Sequence, residues 1–461
     1  MSESGQQAIV FDRDAAKLFR FVRSSFDAQT GVARLVYAFD DGPEMTETVT
    51  YPGAPFALDE AREQAVEAAL QLLHLIAGVS YYKAAPVQIG IESHGIDAQT
   101  AQFLETIYEN GLGEFAYRNG LSLRGKIKFP VDVSVDAVAT HIAPALGLKQ
   151  HALVAIGGGK DSLVSIEALR NAGVEQTVTW IGGSQLIAAC AARTGLPTMN
   201  IGRALAPELF ELNRQGAYNG HIPVTAVNSA IMVLAALLHD ANQVVFSNER
   251  SASYGSLIPG AGEVNHQWSK GWAFESMLGD YVQQHIADDL HYYSLLRPLS
   301  ELAVARQFAK SVHYDAHFSS CNRNFHILGE RPANRWCGAC PKCHFVFLAL
   351  APFMPKTRLV GIFGRNLLDD MAQAAGYDAL LEYQDHKPFE CVGEGRESRA
   401  AMAALGERPE WKEDALVMRF NREIRPQLVA DELQVEPLLC IDGEHRVPPA
   451  LWGKLREAFA A

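Results

Sequence analysis

The chain has 461 residues and a formal net charge of −13 at pH 7. This length exceeds one ordinary core, so we expect two or three domains. The acidic balance argues against broad nucleic-acid binding, because phosphate backbones are held mainly by Lys and Arg. The polar start lacks the features of a signal peptide, and the longest apolar stretches, 230–238 and 345–354, are too short to span a bilayer. We therefore expect a cytoplasmic protein with no membrane and no nucleic-acid partner.

The first part, residues 1–148, predicts an α+β domain. Aromatic and branched runs at 19–23 and 33–39 flank turn residues and predict a hairpin, to which 46–51 adds a third strand. Apolar residues at helical spacing predict a helix over 58–76. No catalytic motif lies here, so a role in specificity and a role in packing alone both stay open.

The second part, residues 149–365, alternates strand and helix signals. This order is typical of an α/β fold with a doubly wound parallel sheet, in which ligands bind at the carboxyl ends of the strands. The predicted strands are 152–156, 177–181, 198–201 and 244–247, with a helix over 184–193. The third part, residues 366–461, predicts a helical region with helices over 367–375, 398–405 and 451–459.

A glycine-rich loop follows the first of these strands. Glycines allow backbone N–H groups to approach a phosphate closely, and the helix that follows adds partial positive charge. Lys160 supplies a full charge, and Asp161 is suited to holding magnesium. The predicted phosphate-binding residues are Gly157, Gly158, Gly159, Lys160, Asp161 and Ser162. The alternative is an ordinary glycine turn before a helix.

Two better-known loops do not fit this segment. A Walker A loop needs glycine where Val154 stands and Ser or Thr where Asp161 stands. The dinucleotide fingerprint needs glycine where Ser162 stands. The segment instead resembles the PP-loop of the ATP pyrophosphatases, Ser-Gly-Gly-x-Asp-Ser, with Gly157 in place of the first serine. The resemblance implies that ATP is cleaved to AMP and pyrophosphate.

Polar residues also follow the other strands of this part. Ser247, Asn248 and Glu249 come at the end of the strand predicted over 244–247, at the edge where a ligand is expected. Gly182 follows the strand over 177–181, and we expect it to line the nucleotide site with Ser247 and Asn248. His266 lies further along, and either a site role or a structural role fits a single histidine.

Four cysteines have the spacing of a zinc site. Cys321 precedes Cys337, Cys340 and Cys343, which are separated by two residues each, and four thiolates can surround zinc tetrahedrally. A comparable group holds zinc in the cyano-deazaguanine synthases, which also carry a PP-loop. We expect structural zinc here, while a redox pair and thiols acting as acid and base stay open.

Several motifs together resemble the MurL-type UDP-N-acetylmuramoyl-L-alanyl-L-glutamate epimerases. The motifs are Ile156–Ser162, Phe246–Ala252, Val264–Ser269, Arg335–Cys343 and Lys387–Val392. The resemblance implies a UDP-linked muramoyl dipeptide as substrate and inversion of its terminal L-Glu to D-Glu. It also implies use of ATP and magnesium and a role in bacterial peptidoglycan synthesis.

An ATP loop has a clear use in an epimerase. A proton beside a free carboxylate is very weakly acidic, and adenylation removes that negative charge so that a base can take the proton. Lys160 and the loop amides would stabilise the phosphates and Asp161 would hold magnesium. Glu249, His266 and the cysteines are the candidate proton-transfer groups. Another PP-loop ligase, such as a deazapurine or amide synthase, a tRNA sulfurtransferase and a nucleotide-sensing module are the alternatives.

Overall fold

The computed structural model describes residues 11–136, 143–258, 262–325, 332–383 and 387–460. The chain forms two compact units. The first unit comprises residues 1–146, 201–239 and 283–288, and the second comprises 147–200, 240–282 and 289–461. The three-part division at residues 148 and 365 stays a prediction.

Strands and helices are interspersed up to β11, after which the elements of the described chain are helical. The strands are β1 (Leu18–Asp27), β2 (Val32–Phe39), β3 (Met45–Thr50), β4 (Gln88–Ile91), β5 (Lys149–Ala155), β6 (Gln176–Ile181), β7 (Thr198–Ala204), β8 (Ala241–Phe246), β9 (Ser256–Ile258), β10 (Gly262–Val264) and β11 (His291–Ser294). The helices are α1 (Glu60–Ala77), α2 (Ala98–Gly111), α3 (Gly113–Arg118), α4 (Val133–Asp136), α5 (Lys160–Asn171), α6 (Gln185–Arg193), α7 (Pro207–Arg214), α8 (Val224–Leu238), α9 (Trp272–His285), α10 (Glu301–Ala309), α11 (Asn322–Phe325), α12 (Pro341–Leu350), α13 (Lys356–Phe363), α14 (Ala374–Leu380), α15 (Gly395–Gly406), α16 (Ala415–Arg419) and α17 (Pro449–Ala460). Among the described helices, none combines the length and apolarity needed to cross a bilayer.

The first unit contains a mostly antiparallel sheet covered by helices. β1, β2 and β3 pair antiparallel in sequence, β4 joins β1 in parallel, and the end of β7 pairs antiparallel with β3. α1 begins where Asp59 accepts a hydrogen bond from the N–H of Arg62, and its apolar face packs on β1 and on α8. The predicted hairpin, third strand and helix are confirmed.

The second unit contains a parallel sheet. β11, β8, β5 and β6 lie side by side in this order, and each pair is parallel. Ala152, Val154 and Val245 in the central strands are fully buried, as expected for a sheet covered on both faces. The predicted α/β class is confirmed, and the strands predicted over 152–156, 177–181 and 244–247 form parallel pairs. The strand predicted over 198–201 forms the start of β7, whose end pairs antiparallel with β3. In such a sheet the carboxyl ends of the strands share one edge, which brings the loops after β5 and β8 together.

The C-terminal part of the second unit is helical, as predicted, but the prediction of one helix is wrong. A helix was expected over 367–375, whereas the chain forms a short 3₁₀ turn at Met371–Gln373 followed by α14. The Asn366 side chain accepts from the N–H of Leu368, and Asp370 accepts from that of Ala372. These local side-chain bonds compete with the helical pattern, and α14 begins only at Ala374, about two turns after the predicted start.

Candidate active site

The glycine loop lies between β5 and α5, at the carboxyl edge of the parallel sheet. Gly158 has a φ of +83°, a left-handed conformation that favours glycine. Gly159 is the N-cap of α5 and contributes no side-chain hydrogen bond. A Cβ on Gly159 would lie 2.6 Å from the Oγ of Ser320, so a side chain there would require the Ser320 hydroxyl to move. Gly157 is exposed and has open space beside it. The geometry suits an anion at the N-terminus of α5.

Lys160 and Asp161, the two charged residues of the loop, belong to a group of three charges. The Lys160 ammonium is buried and pairs with the carboxylates of Asp161 and Glu301. Burial alone would lower the pKa of Lys160, but the two carboxylates outweigh it and raise the pKa. Glu301, at the start of α10, was not predicted, because its sequence neighbours carry no motif.

Asp161 keeps the ionised state that a magnesium ligand needs. Burial opposes ionisation, but the charges of Lys160 and Lys342 lower its pKa overall. Its side chain is 28% exposed, which leaves part of the carboxylate accessible to an ion or a phosphate. Ser162 donates back to the carbonyl of Gly159 at 3.2 Å and stabilises the loop.

The end of β8 brings the other predicted residues to the same edge. The Ser247 hydroxyl donates to the Oγ of Ser165 in α5 at 2.7 Å. The Asn248 amide donates to the Oγ of Ser294 in β11 at 3.0 Å. Both side chains therefore tie the β8 loop to its neighbours, and their role toward a nucleotide stays a prediction. Gly182 follows β6 with a φ of +91°.

Glu249 is a buried carboxylic acid beside the loop. Burial, followed by the negative charges of Glu301 and Asp161, raises its pKa to about 8. At neutral pH the group is therefore mostly protonated, which is the state of a proton donor. A pKa this far from its ordinary value is typical of functional sites.

Arg297 holds the backbone on both sides of this site. It is buried, donates to the carbonyl oxygens of Glu249 and Lys270, and forms an ion pair with buried Glu275 at 2.9 Å. One guanidinium thus fixes two segments that are 21 residues apart in the sequence. Sequence reasoning missed Arg297, since nothing in Leu296–Pro298 distinguishes it from an ordinary surface arginine.

A thiol lies among basic side chains in the same unit. The ammonium of Lys270 lies 3.0 Å from the Sγ of Cys391, and Nε2 of His266 lies 3.8 Å from the same sulfur. We call Cys391, Lys270 and His266 the Cys391 cluster. His266 was predicted as a candidate, and Cys391 was included among the candidate cysteines and in the Lys387–Val392 motif. The irregular segment after residue 386 carries Cys391, and its mixture of basic residues was the available signal.

The four predicted metal-binding cysteines are together. The Sγ atoms of Cys321, Cys337, Cys340 and Cys343 all lie within 4.8 Å of one another. The backbone N–H groups of Cys337 and Ala339 point at sulfur atoms, each at 3.4 Å, as is common around thiolates. This donor set is compatible with a structural metal ion.

Comparison with known proteins agrees with these features. Residues 10–295 match the family model for the MurL N-terminal domain, and residues 317–435 match that for the MurL C-terminal domain.

Three curated relatives share the name UDP-N-acetyl-alpha-D-muramoyl-L-alanyl-L-glutamate epimerase. The protein from Xanthomonas oryzae pv. oryzae (strain MAFF 311018) is 75% identical over 98% of this chain and 99% of its own length. The protein from Micromonospora sp. is 40% identical over 94% of this chain and 96% of its own. The protein from Salinispora tropica is 42% identical over 87% of each chain. The chain belongs to the MurL family.

Proposed function

We propose that this chain is an epimerase that inverts the terminal L-Glu of UDP-N-acetylmuramoyl-L-alanyl-L-glutamate to D-Glu. The observation that carries the proposal is the 75% identity, over nearly the full length, to a relative of that name. The site agrees in chemistry, because it combines a phosphate-type loop with buried groups that can exchange protons. The role is a step in peptidoglycan precursor synthesis in the cytoplasm.

The reaction consumes ATP and gives AMP and pyrophosphate. The glycine loop at the N-terminus of α5 suits the phosphates of ATP, as in a PP-loop. The doubly wound sheet expected for the second unit is the fold in which a PP-loop occurs. The terminal carboxylate of the substrate attacks the α-phosphate, pyrophosphate leaves, and an acyl-adenylate forms. Asp161 and the phosphates would hold magnesium, which supplies positive charge that stabilises the leaving pyrophosphate.

Activation explains how a weak acid loses its proton. In the free dipeptide a carbanion would sit beside a carboxylate, whereas in the acyl-adenylate the electron pair is delocalised into the acyl group. A base removes the α-proton, an acid returns one to the opposite face, and water then releases D-Glu product and AMP. Each factor of ten in rate corresponds to about 1.4 kcal/mol of barrier.

This proposal predicts that inversion depends on ATP. In heavy water with ATP and magnesium, we expect the D-Glu product to carry deuterium at the α-carbon, and we expect both inversion and exchange to stop without ATP. Chiral analysis and mass spectrometry of the released glutamate would measure both, beside an assay for pyrophosphate. Equal inversion with and without ATP would contradict the proposal. A condensed product would instead favour a ligase of the PP-loop type.

We also propose that the four-cysteine cluster binds one zinc ion with a structural role. Elemental analysis of reduced, freshly prepared protein should give about one zinc per chain, and Cys340→Ser should lose it. Cys440 is exposed, so Cys440→Ser is the matched control and should keep the zinc. Protein that folds and contains no metal would overturn this assignment.

A further inference from the structure

Cys391 has an environment that differs from that of an ordinary core cysteine. Its sulfur accepts from the Lys270 ammonium at 3.0 Å and lies 3.8 Å from Nε2 of His266. Cys190 is the internal comparison: it is fully buried in the core, its thiol donates to the carbonyl of Gly158 at 3.8 Å, and burial raises its pKa to about 12. At Cys391 burial also opposes ionisation, but the charges of Lys270 and Lys342 outweigh it and lower the pKa. A cation in contact with the sulfur is the arrangement that stabilises a thiolate.

A series of contacts joins Cys391 to the glycine loop. Lys160 of the loop pairs with one oxygen of Glu301, and the Lys342 ammonium lies 4.0 Å from the other. Lys342 also donates to the backbone carbonyl of Cys391. Lys342 thus bridges the carboxylate that pairs with the loop lysine and the backbone that carries the thiol. The thiol therefore belongs to the same site as the predicted nucleotide.

Lys387 contributes further positive charge on the segment that carries the thiol. It is buried, its ammonium donates to the carbonyl of Tyr254 at 3.1 Å and lies 5.0 Å from the centre of that ring. The Ser256 hydroxyl donates to the Lys387 carbonyl at 3.2 Å. Lys387 is therefore held through both its side chain and its backbone. This fixes the segment before Cys391 and gives the thiol a defined position.

We propose that the Cys391 thiolate takes the α-proton of the activated glutamyl residue, with Lys270 as the positioning residue that keeps the sulfur ionised. This inference rests on the proposed epimerase function. In the step, the Cα–H bond breaks, an S–H bond forms, and the electron pair moves into the acyl group of the adenylate. A proton from a carboxylic acid, Glu249, then forms the new Cα–H bond on the opposite face. His266 contacts the sulfur and carries the proton from Cys391 to solvent, which restores the thiolate.

The test separates carboxylate activation from proton transfer in Cys391→Ser and Cys391→Ala. With ATP, magnesium and the UDP-linked dipeptide in heavy water, we expect α-deuterium incorporation and D-Glu formation to fall at least about 100-fold. Pyrophosphate release should persist, because the acyl-adenylate is still made and water returns it to L-Glu. Cys440→Ser, at an exposed cysteine, is the control and should match the unchanged chain.

Two results would decide against the thiolate. Inversion close to that of the unchanged chain in either variant would overturn the proposal. Loss of pyrophosphate release in a folded Cys391→Ser protein would also overturn it, because Cys391 would then act in activation. Retention of metal and an unchanged circular dichroism spectrum would establish folding. If the unchanged chain released no pyrophosphate with the dipeptide, the proposed function itself would fail, and the two failures are therefore distinguishable.

Lys270→Met tests the positioning role separately. We expect exchange at neutral pH to fall and to recover as the pH is raised, since the thiol then ionises without the cation. Lys270→Arg keeps the charge and should restore much of the neutral-pH rate. Exchange in Lys270→Met that equals the unchanged chain at every pH would exclude this role for Lys270.

Discussion

Asp161→Asn should reduce substrate-dependent pyrophosphate release at least about 100-fold and leave the fold intact. The magnesium ion proposed at Asp161 supplies several kcal/mol of charge stabilisation when phosphate bonds are broken, and an amide oxygen is a much weaker ligand than a carboxylate. The fold should tolerate the change, because Lys160 keeps its pairing with Glu301. We expect the free energy of unfolding to change by about 1 kcal/mol or less, since Asp161 is partly exposed.

Steady-state assays of pyrophosphate and urea unfolding would measure the two effects in one preparation. Asp280→Asn is the matched control, since Asp280 also forms an ion pair, with Arg446, and is 56% exposed. Its activity should equal that of the unchanged chain. Near-normal AMP formation in Asp161→Asn would remove the loop from the mechanism.

Arg297→Met should have the largest effect on stability. The arginine and Glu275 are both almost completely buried, at 2% and 1% side-chain exposure, so the substitution leaves an unpaired carboxylate in the interior. Removing one partner of a buried pair costs about 3–5 kcal/mol. The carbonyl oxygens of Glu249 and Lys270 lose their donor as well, so inversion should fall more than the stability loss alone explains.

Arg422→Met provides the surface comparison for this experiment. Arg422 pairs with Glu423 but is 74% exposed, and exposed pairs contribute about 0–1 kcal/mol. Denaturant unfolding of the two variants should therefore differ severalfold in the free energy lost. A loss below about 1 kcal/mol in Arg297→Met would show that the pair does not hold the interior together.

The parts of the site that the sequence predicts are those with a local pattern. The loop from Gly157 to Ser162 is readable because its glycines, its charges and the following helix are consecutive, and local backbone rules determine the shape. The four-cysteine cluster is readable because short spacings limit how far apart the thiols can lie. The parallel sheet is predicted for the same reason, by the repeated order of strand and helix.

The remaining parts depend on contacts between distant segments. Glu301 is 141 residues beyond Lys160 in sequence, yet the two side chains form an ion pair. Lys270 and Cys391 are 121 residues apart and meet at 3.0 Å. No local rule gives such pairings, because they follow from how the elements pack. The prediction of a helix over 367–375 failed because of local contacts. The side-chain hydrogen bonds of Asn366 and Asp370 outweigh a weak apolar pattern there.

The segment just before Cys321, the first cysteine of the four-cysteine cluster, also supports the glycine loop. The N–H of Ser319 donates to the carbonyl of Gly158 at 2.8 Å, Ser320 occupies the space beside Gly159, and the Ser319 hydroxyl accepts from the N–H of Cys321. An ion held by these thiolates would therefore fix, through two residues, the backbone of the loop that is proposed to bind phosphates. Thermodynamic linkage makes this coupling reciprocal. Chelation of the metal should weaken the affinity for ATP, and bound ATP should slow the loss of metal by the same free energy.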